Sequence, residues 1–145
     1  MGCKTGQCLC GAVSFELTKG PDHYHNCYCK MCQRWSGSAF SSFSSHSSQI
    51  NVAGEENIAT YESSPWAQRA FCKKCGSNLW YKVTAENHEG DNIYVPIGLL
   101  DETDDVSLQS EIFVDYKTKA YDIPESIEKL TEAQVLAQFA SPEDT

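Results

Sequence analysis

Eight cysteines in 145 residues are the feature that most restricts how this chain can fold. Seven of them fall into three short clusters: Cys8-Leu9-Cys10, Cys27-Tyr28-Cys29-Lys30-Met31-Cys32 and Cys72-Lys73-Lys74-Cys75. Two thiols separated by one or two residues form a compact chelating pair, and two thiols separated by one residue do not easily bond to each other. The clusters therefore favour metal binding, and a secreted chain with a disulfide framework is the alternative.

The number of clustered cysteines matches two zinc sites of different kinds. Four thiolates complete a structural zinc site, with zinc–sulfur distances of about 2.3 Å. The first and last clusters together supply such a set: Cys8, Cys10, Cys72 and Cys75. The middle cluster supplies three ligands: Cys27, Cys29 and Cys32. Three protein ligands with a free fourth position are typical of a catalytic zinc. The spacing thus predicts one closed and one open site.

Three other side chains could close the second site. Cys3 lies outside the clusters, and His23 and His25 lie shortly before the middle cluster. If one of them is the fourth ligand, both zinc ions are structural and the chain is a zinc-stabilised binding module without catalysis. At this stage the enzyme and the binding module both remain open.

The pattern of apolar residues predicts a single, mostly β domain over residues 1–145. Strand candidates cover residues 11–17, 24–29, 39–43, 58–61, 68–71, 79–83, 93–97 and 112–116. Only the tail is predicted to be helical, because Thr131-Glu132-Ala133-Gln134 matches a capping box and Ser141-Pro142 would end the helix. No internal repeat or linker interrupts the chain, so we expect one folded sheet of short antiparallel strands.

Charge and hydropathy restrict the partners. The formal net charge is −9, which argues against nucleic acid because phosphate binding needs a basic surface. No apolar run approaches the roughly 20 residues that span a bilayer, so we expect no membrane partner. The first residues lack the apolar segment of a signal peptide, which predicts a cytoplasmic protein. Nothing in the sequence indicates an oligomeric state.

Several motifs resemble a known family. The matching segments are Gly6-x-Cys8-x-Cys10-Gly11-x-Val13, Cys27-x-Cys29-x-x-Cys32, Arg69-x-Phe71-Cys72-x-x-Cys75-Gly76-x-x-Leu79 and Gly98-Leu99-Leu100-Asp101. They resemble the glutathione-dependent formaldehyde-activating enzyme family, which includes centromere protein V, and the likeness extends from Gly6 to Tyr121. This chain departs from the family pattern at Glu111, where many members have His, and at Tyr121, where they often have Trp. These departures concern the substrate more than the fold.

The resemblance implies a β-tent fold with a structural zinc on the first and last cysteine pairs. It also implies a second, catalytic zinc on Cys27, Cys29 and Cys32. The family's named activity joins formaldehyde to glutathione to give S-hydroxymethylglutathione and is classed as a carbon–sulfur lyase. We therefore expect Zn²⁺ as cofactor and a thiol and a small carbonyl as substrates.

Basic side chains near the clusters are candidates for binding the carboxylates of glutathione. Arg34, Arg69 and Lys30 lie close to cysteine ligands in the sequence, and arginine suits carboxylate recognition. The alternative is that these cations only balance the charge of the zinc–thiolate groups. Three aromatic residues could form the wall of a pocket, although aromatics at strand spacing more often pack in a core: Trp35, Phe40 and Phe43.

Overall fold

The computed structural model describes residues 2–85 and 91–139, and these residues form a mostly β structure with two helices. The strands are β1 (Lys4–Gln7), β2 (Ser14–Leu17), β3 (His23–Cys27), β4 (Phe40–His46), β5 (Ile50–Ala53), β6 (Ile58–Ser64), β7 (Ala67–Cys72), β8 (Asn78–Val83), β9 (Asn92–Pro96) and β10 (Ser107–Ile112). The helices are α1 (Lys30–Ser36) and α2 (Glu132–Phe139). The expectation of a mostly β fold with a short C-terminal helix is confirmed.

The strands form two sheets that pack against each other. The small sheet has the order β1-β2-β5, and the large sheet has the order β10-β3-β4-β9-β8-β7-β6. All neighbours are antiparallel except β10, which runs parallel to β3. The expectation of one folded sheet of antiparallel strands thus differs from the structure in two details. The strands form two sheets, and β10 runs parallel to β3 because it arrives by a long connection from β9 and not by a hairpin.

The core lies between the two sheets. Strand β2 alternates buried Phe15 and Leu17 with more exposed neighbours, as a strand with one face toward the core should. These two side chains pack with Phe43 and Val95 from the large sheet. Gly6 of β1 lies so close to Phe15 and to the backbone of Leu99 that a Cβ atom would lie 2.4 Å from the Phe15 ring. A glycine is needed here for the small sheet to pack this tightly.

Helix α1 contradicts the prediction that only the tail is helical. It begins directly after Cys29, whose Sγ accepts a hydrogen bond from the backbone N–H of Cys32 at 3.3 Å. A cysteine thus takes the N-cap position that Ser, Thr, Asp or Asn usually occupies. The sequence pattern lacks the ordinary signal of a helix start, and the helix is only seven residues long.

Two strand predictions also need correction, and two strands were missed. The predicted strand 112–116 is wrong, because β10 ends at Ile112, Phe113 has a left-handed backbone with φ of 56°, and Val114–Tyr116 forms a 3-10 turn. The predicted strand 11–17 begins only at Ser14. Strands β1 and β5 fall outside every predicted run, and each of the other predicted runs overlaps an observed strand.

The tail follows its prediction. Thr131 and Gln134 form the expected reciprocal cap, with the Gln134 N–H donating to Thr131 Oγ1 and the Thr131 N–H donating to Gln134 Oε1. The predicted helix end at Ser141-Pro142 lies outside the described residues. Neither helix in the described part of the chain has the length and apolar character needed to cross a membrane.

Candidate metal centres and the adjoining cavity

Four cysteines from distant parts of the chain meet at one side of the molecule. They lie in the turn after β1, at the end of β7 and in the turn between β7 and β8, and their Sγ atoms are all within 4.8 Å of one another: Cys8, Cys10, Cys72 and Cys75. We call this group the four-thiol cluster. Two of its sulfur–sulfur distances are 3.7 Å, from Cys8 to Cys10, and 3.9 Å, from Cys10 to Cys72. Tetrahedral sulfur ligands about 2.3 Å from a zinc ion lie about 3.8 Å apart, so these thiols fit a zinc ion.

The backbone around the four-thiol cluster holds the sulfurs in place. The turn after Cys72 places Gly76 at φ of 79°, a left-handed conformation that glycine adopts without strain. The backbone N–H of Val13 donates to Cys8 Sγ at 3.3 Å. The side chain of Ser77 lies 3.2 Å from Cys75 Sγ, and this hydrogen bond is the main cause that lowers the pKa of Cys75 to about 5. Stabilisation of a thiolate suits a metal ligand.

Three cysteines from one short segment form the second group. Cys27 ends β3, Cys29 caps α1, and Cys32 lies in the first turn of α1, with all three Sγ atoms within 4.8 Å of one another. We call this group the three-thiol cluster. A hydrogen bond with the Cys32 thiol lowers the pKa of Cys27, and the same bond raises the pKa of Cys32. The donor set and its compactness are compatible with a zinc ion.

The described residues provide no fourth ligand to the three-thiol cluster from Cys, His, Asp or Glu. Cys3 is exposed, and its Sγ lies 3.8 Å from the carbonyl oxygen of Thr18 in the small sheet. His23 Nδ1 contacts the Asp22 carboxylate at 2.5 Å, and His25 Nδ1 contacts the Ser110 hydroxyl at 2.7 Å. The three side chains that could have closed the cluster are therefore engaged elsewhere.

A cavity of about 560 Å³ lies beside the three-thiol cluster, and all three cysteines line it. We call it the aromatic cavity, because aromatic side chains are the largest group in its wall: Phe40, Trp66, Tyr81, Tyr94, Phe113 and Tyr116. Lys30 also lines the cavity, with its Nζ 5.3 Å from the centre of the Tyr116 ring. Three sulfurs thus face a space large enough for a small organic ligand.

Arg69 is the buried cation of this site. Its side chain lies in β7, opposite Tyr81 of β8, and only 2% of its surface is exposed. The guanidinium carbon lies 4.9 Å from the Trp35 ring and 4.7 Å from the Tyr81 ring, and Nη1 and Nη2 both donate to Cys32 Sγ at 3.8 Å. No carboxylate in the described residues lies within salt-bridge distance of it. This geometry favours charge compensation of the thiols over a free carboxylate fork.

The two other predicted cations lie at a second cavity of about 390 Å³. Arg34, in the last turn of α1, is exposed, and Lys30 lies at the start of the same helix. This cavity adjoins the aromatic one, since Lys30, Met31 and Arg69 line both. Arg34 and Lys30 are thus free of carboxylate partners in the described residues and available to an anionic ligand.

The three predicted pocket aromatics have different positions. Phe40 lines the aromatic cavity, Trp35 stacks on Arg69, and Phe43 is a core residue with 1% exposure. The sequence does not single out the five remaining aromatic wall residues, because their spacing in strands and turns is that of ordinary core aromatics: Trp66, Tyr81, Tyr94, Phe113 and Tyr116.

The two positions that depart from the family pattern, Glu111 and Tyr121, both contact the segment that carries the three-thiol cluster. The Tyr28 hydroxyl donates to the Glu111 carboxylate at 2.5 Å and lowers its pKa, and Lys117 Nζ lies 3.3 Å from the same carboxylate. The Tyr121 hydroxyl donates to Gln33 Oε1 at 2.8 Å. These contacts fix the back of the thiol-bearing loop and do not reach the cavity.

Known proteins resemble this chain in sequence. The family model described as "Glutathione-dependent formaldehyde-activating enzyme" matches residues 3–116. A Schizosaccharomyces pombe protein named as an uncharacterized lyase is 29% identical over 132 residues, which cover 90% of this chain and 93% of that protein. A Podospora anserina protein named "Putative glutathione-dependent formaldehyde-activating enzyme" is 31% identical over 87 residues, which cover 57% of this chain and 41% of that protein.

A solved structure resembles the fold. The crystal structure of a Rhodobacter sphaeroides protein aligns with a TM-score of 0.56 and 24% identity, and the alignment covers 72% of this chain and 99% of that one. At this level of identity the likeness concerns the arrangement of the strands alone.

Proposed function

The chain belongs to the glutathione-dependent formaldehyde-activating enzyme family, and we propose that it is a carbon–sulfur lyase that adds a thiol such as glutathione to formaldehyde or another small carbonyl. The observation that carries the proposal is the aromatic cavity, onto which three thiols open without a fourth protein ligand among the described residues. In the addition, a carbon–sulfur bond forms, the carbonyl π bond breaks, and the thiol proton passes to the carbonyl oxygen. The lyase direction is the reverse.

We assign a zinc ion to each cluster, structural in the four-thiol cluster and catalytic in the three-thiol cluster. A zinc ion bound by Cys27, Cys29 and Cys32 would lower the pKa of a substrate thiol, so that a sulfur nucleophile is available at neutral pH. All eight cysteines are free of disulfides, which suits a reducing compartment. We therefore place the reaction in the cytoplasm.

The residues around the three-thiol cluster support this chemistry by charge and by shape. Three thiolates and a zinc ion carry a net charge of minus one, which the guanidinium of Arg69 neutralises. Arg69 also contacts Cys32 Sγ with both terminal nitrogens of its guanidinium. Lys30 and Arg34 at the second cavity bind the carboxylates of the thiol substrate. The aromatic and aliphatic side chains of the cavity offer an apolar surface to the rest of the substrates.

Magnetisation-exchange nuclear magnetic resonance tests the activity directly. Carbon-13 formaldehyde and glutathione exchange slowly with their adduct in buffer, and the protein should increase the exchange rate in proportion to its concentration. Cys29→Ser should return the rate to that of buffer, whereas the matched control Cys3→Ser, on an exposed thiol far from the cavity, should retain it. A wild-type protein loaded with zinc that leaves the exchange rate unchanged would contradict the proposal.

Zinc stoichiometry distinguishes this enzyme from a binding module. We expect two zinc ions per chain, one of which is lost readily to a mild chelator or displaced by a thiol. One inert zinc ion, or two equally inert ones, would support the module, because an open site exchanges its ligand and a closed site does not.

A further inference from the structure

The cavity beside the three-thiol cluster is far larger than formaldehyde. Formaldehyde has two non-hydrogen atoms and needs roughly 60 Å³, at about 30 Å³ for each water-sized group. The cavity measures about 560 Å³, which is within the range of sites that hold larger organic ligands. Formaldehyde would occupy about a tenth of this space and would touch few of the walls.

The chemistry of the walls is also unsuited to formaldehyde alone. Six aromatic side chains surround the space: Phe40, Trp66, Tyr81, Tyr94, Phe113 and Tyr116. Met31, Val83 and Ile112 add apolar surface. Aromatic and aliphatic walls gain free energy by covering apolar groups of a ligand, which formaldehyde lacks.

The mouth of the cavity exposes large apolar side chains. Trp66 is 48% exposed, Phe113 is 51% exposed and Ile112 is 46% exposed. Trp66 lies in the turn between β6 and β7, while Ile112 ends β10 and Phe113 follows it, so apolar groups reach the mouth from two different parts of the chain. An apolar ligand entering between them would cover surface that now faces water.

Phe113 holds its place at the cost of backbone strain. Its φ of 56° and ψ of 41° place a bulky residue in the left-handed region, which only glycine adopts readily. Its ring stacks on that of Tyr116, with 6.4 Å between the ring centres. Strain of this kind occurs most often at ligand-binding positions, where the surrounding structure holds a side chain against a ligand.

The carboxylates of the thiol substrate are assigned to the second cavity. Lys30 and Arg69 line both cavities, and Arg69 is engaged with Cys32, whereas Arg34 lines the second cavity alone. The second cavity therefore has two cations available to a carboxylate and the aromatic cavity has one. A peptide-like thiol therefore extends into the second cavity, and the aromatic cavity is left for the substituent of the carbonyl compound.

We propose that this site takes aldehydes that carry a bulky apolar or aromatic substituent and prefers them to small aldehydes. The inference rests on the proposed thiol–carbonyl addition and specifies its second substrate. The thiol adds across the aldehyde C=O, the new carbon–sulfur bond replaces the π bond, and the sulfur-bound proton moves to the oxygen to give a hemithioacetal. No oxidant or reductant takes part.

The test compares 3-phenylpropanal with propanal, which has the same reacting group and lacks the ring. Exchange spectroscopy with glutathione should give a kcat/KM at least about tenfold higher for 3-phenylpropanal, since even one methylene in an apolar pocket changes this ratio by about tenfold or more. Phe113→Gly and Trp66→Ala should each reduce the preference substantially. Phe139→Ala, which removes an exposed aromatic on α2 outside the cavity lining, should leave it unchanged.

A binding measurement is independent of turnover. The unreactive alcohol 3-phenylpropan-1-ol should bind the zinc-loaded protein, and Phe113→Gly should weaken the binding. Equal kcat/KM values for the two aldehydes, or alcohol binding unaffected by Phe113→Gly, would overturn this inference while the formaldehyde reaction stands. Failure to accelerate adduct formation with any of the three aldehydes would contradict the addition reaction and this inference together.

Discussion

The two cysteine clusters are built from the same side chain, and they differ in how the chain brings the thiols together. The four-thiol cluster joins the turn after β1 in the small sheet to the ends of β7 and β8 in the large sheet. The three-thiol cluster comes from one segment, Cys27–Cys32, whose shape is already set by the N-cap of α1. The first cluster connects two sheets, and the second connects residues that are already neighbours.

The surroundings of the two clusters also differ. In the four-thiol cluster, Cys8 and Cys72 are buried in a small apolar core with Val13 and Leu79, and the ligand set is complete. In the three-thiol cluster, the sulfurs face a cavity and a buried arginine. We infer that the first cluster determines stability and the second determines activity, so single substitutions should separate the two properties.

The largest effect is expected from Cys72→Ala. Structural zinc sites contribute about 10–16 kcal/mol in small peptides, which is as much as the whole stability of an ordinary domain, about 5–15 kcal/mol. The variant should therefore fail to fold, as circular dichroism and a thermal melt would show. Cys3→Ala is the matched control, and we expect it to change the unfolding free energy by less than about 0.5 kcal/mol. A cooperative melt of Cys72→Ala near the wild-type temperature would contradict the role of this cluster as the link between the sheets.

Cys29→Ser should abolish activity and leave stability almost unchanged, which is the opposite of the effect expected from Cys72→Ala. Serine is a good N-cap, so α1 keeps its first hydrogen bond and the unfolding free energy should change by no more than about 1 kcal/mol. The thiolate ligand is lost, and the protein-dependent exchange of formaldehyde with glutathione should disappear. A variant that keeps wild-type activity would show that the three-thiol cluster is not the reaction site. Cys29→Ala, which also removes the cap, separates the contribution of the helix from that of the metal ligand.

Arg69→Met tests whether the buried guanidinium supports the open cluster. Methionine has a similar length and can fill the space between Trp35 and Tyr81, but it removes the charge and both donors to Cys32. Loss of a group that orients a metal ligand typically weakens metal affinity about 10–100-fold. Titration with cobalt(II), monitored through the absorption bands of its bonds to thiolate, should show this loss of affinity at one of the two metal sites. Arg69→Lys should recover part of the affinity because it restores the charge without the two-pronged contact.

Lys30→Gln and Arg34→Gln should have smaller effects, since both cations are exposed. Exposed ion pairs contribute about 0.2–1 kcal/mol, so each change should raise the KM for glutathione by no more than about fivefold with little change in kcat. The KM for 2-mercaptoethanol, which has no carboxylate, should not change. Lys74→Gln, beside the four-thiol cluster, is the control with the same loss of charge. An equal effect on both thiols would show that the cations do not recognise carboxylates.

The cysteine spacing alone predicts much of this difference between the two clusters. Pairs such as Cys72 and Cys75 are local signals, and the geometry of zinc coordination determines how many of them form one site. Both groups of thiols that the sequence predicts come together in the structure. The residues that line the aromatic cavity could not be predicted, because Trp66 and Phe113 meet there only through the pairing of strands that are distant in sequence.

The errors in the predicted fold have related causes. Helix α1 begins at a thiol that replaces the usual capping oxygen, and its short length gives little periodicity. The parallel pairing of β10 with β3 depends on a long connection whose direction no local pattern specifies. The role of Arg69 was left undecided for the same reason, since its contact with Cys32 depends on the register of β7 and the position of α1.

The smallest predicted effect concerns the left-handed residues near the two clusters. At the four-thiol cluster this conformation belongs to two glycines, Gly11 and Gly76, and at the mouth of the aromatic cavity it belongs to Phe113. A left-handed backbone costs a residue with a Cβ about 1–2 kcal/mol, and glycine loses about 0.5–1 kcal/mol more conformational entropy on folding than alanine. Phe113→Gly should therefore be more stable than Phe113→Ala by about 0.5–1 kcal/mol in urea unfolding, because both variants lack the ring and differ only in the backbone. Ile112 is extended in β10, so Ile112→Ala should be more stable than Ile112→Gly. If the glycine variant were the less stable one at both positions, the backbone at Phe113 would carry no strain. The three-thiol cluster would then not differ from the four-thiol cluster in the backbone strain near it.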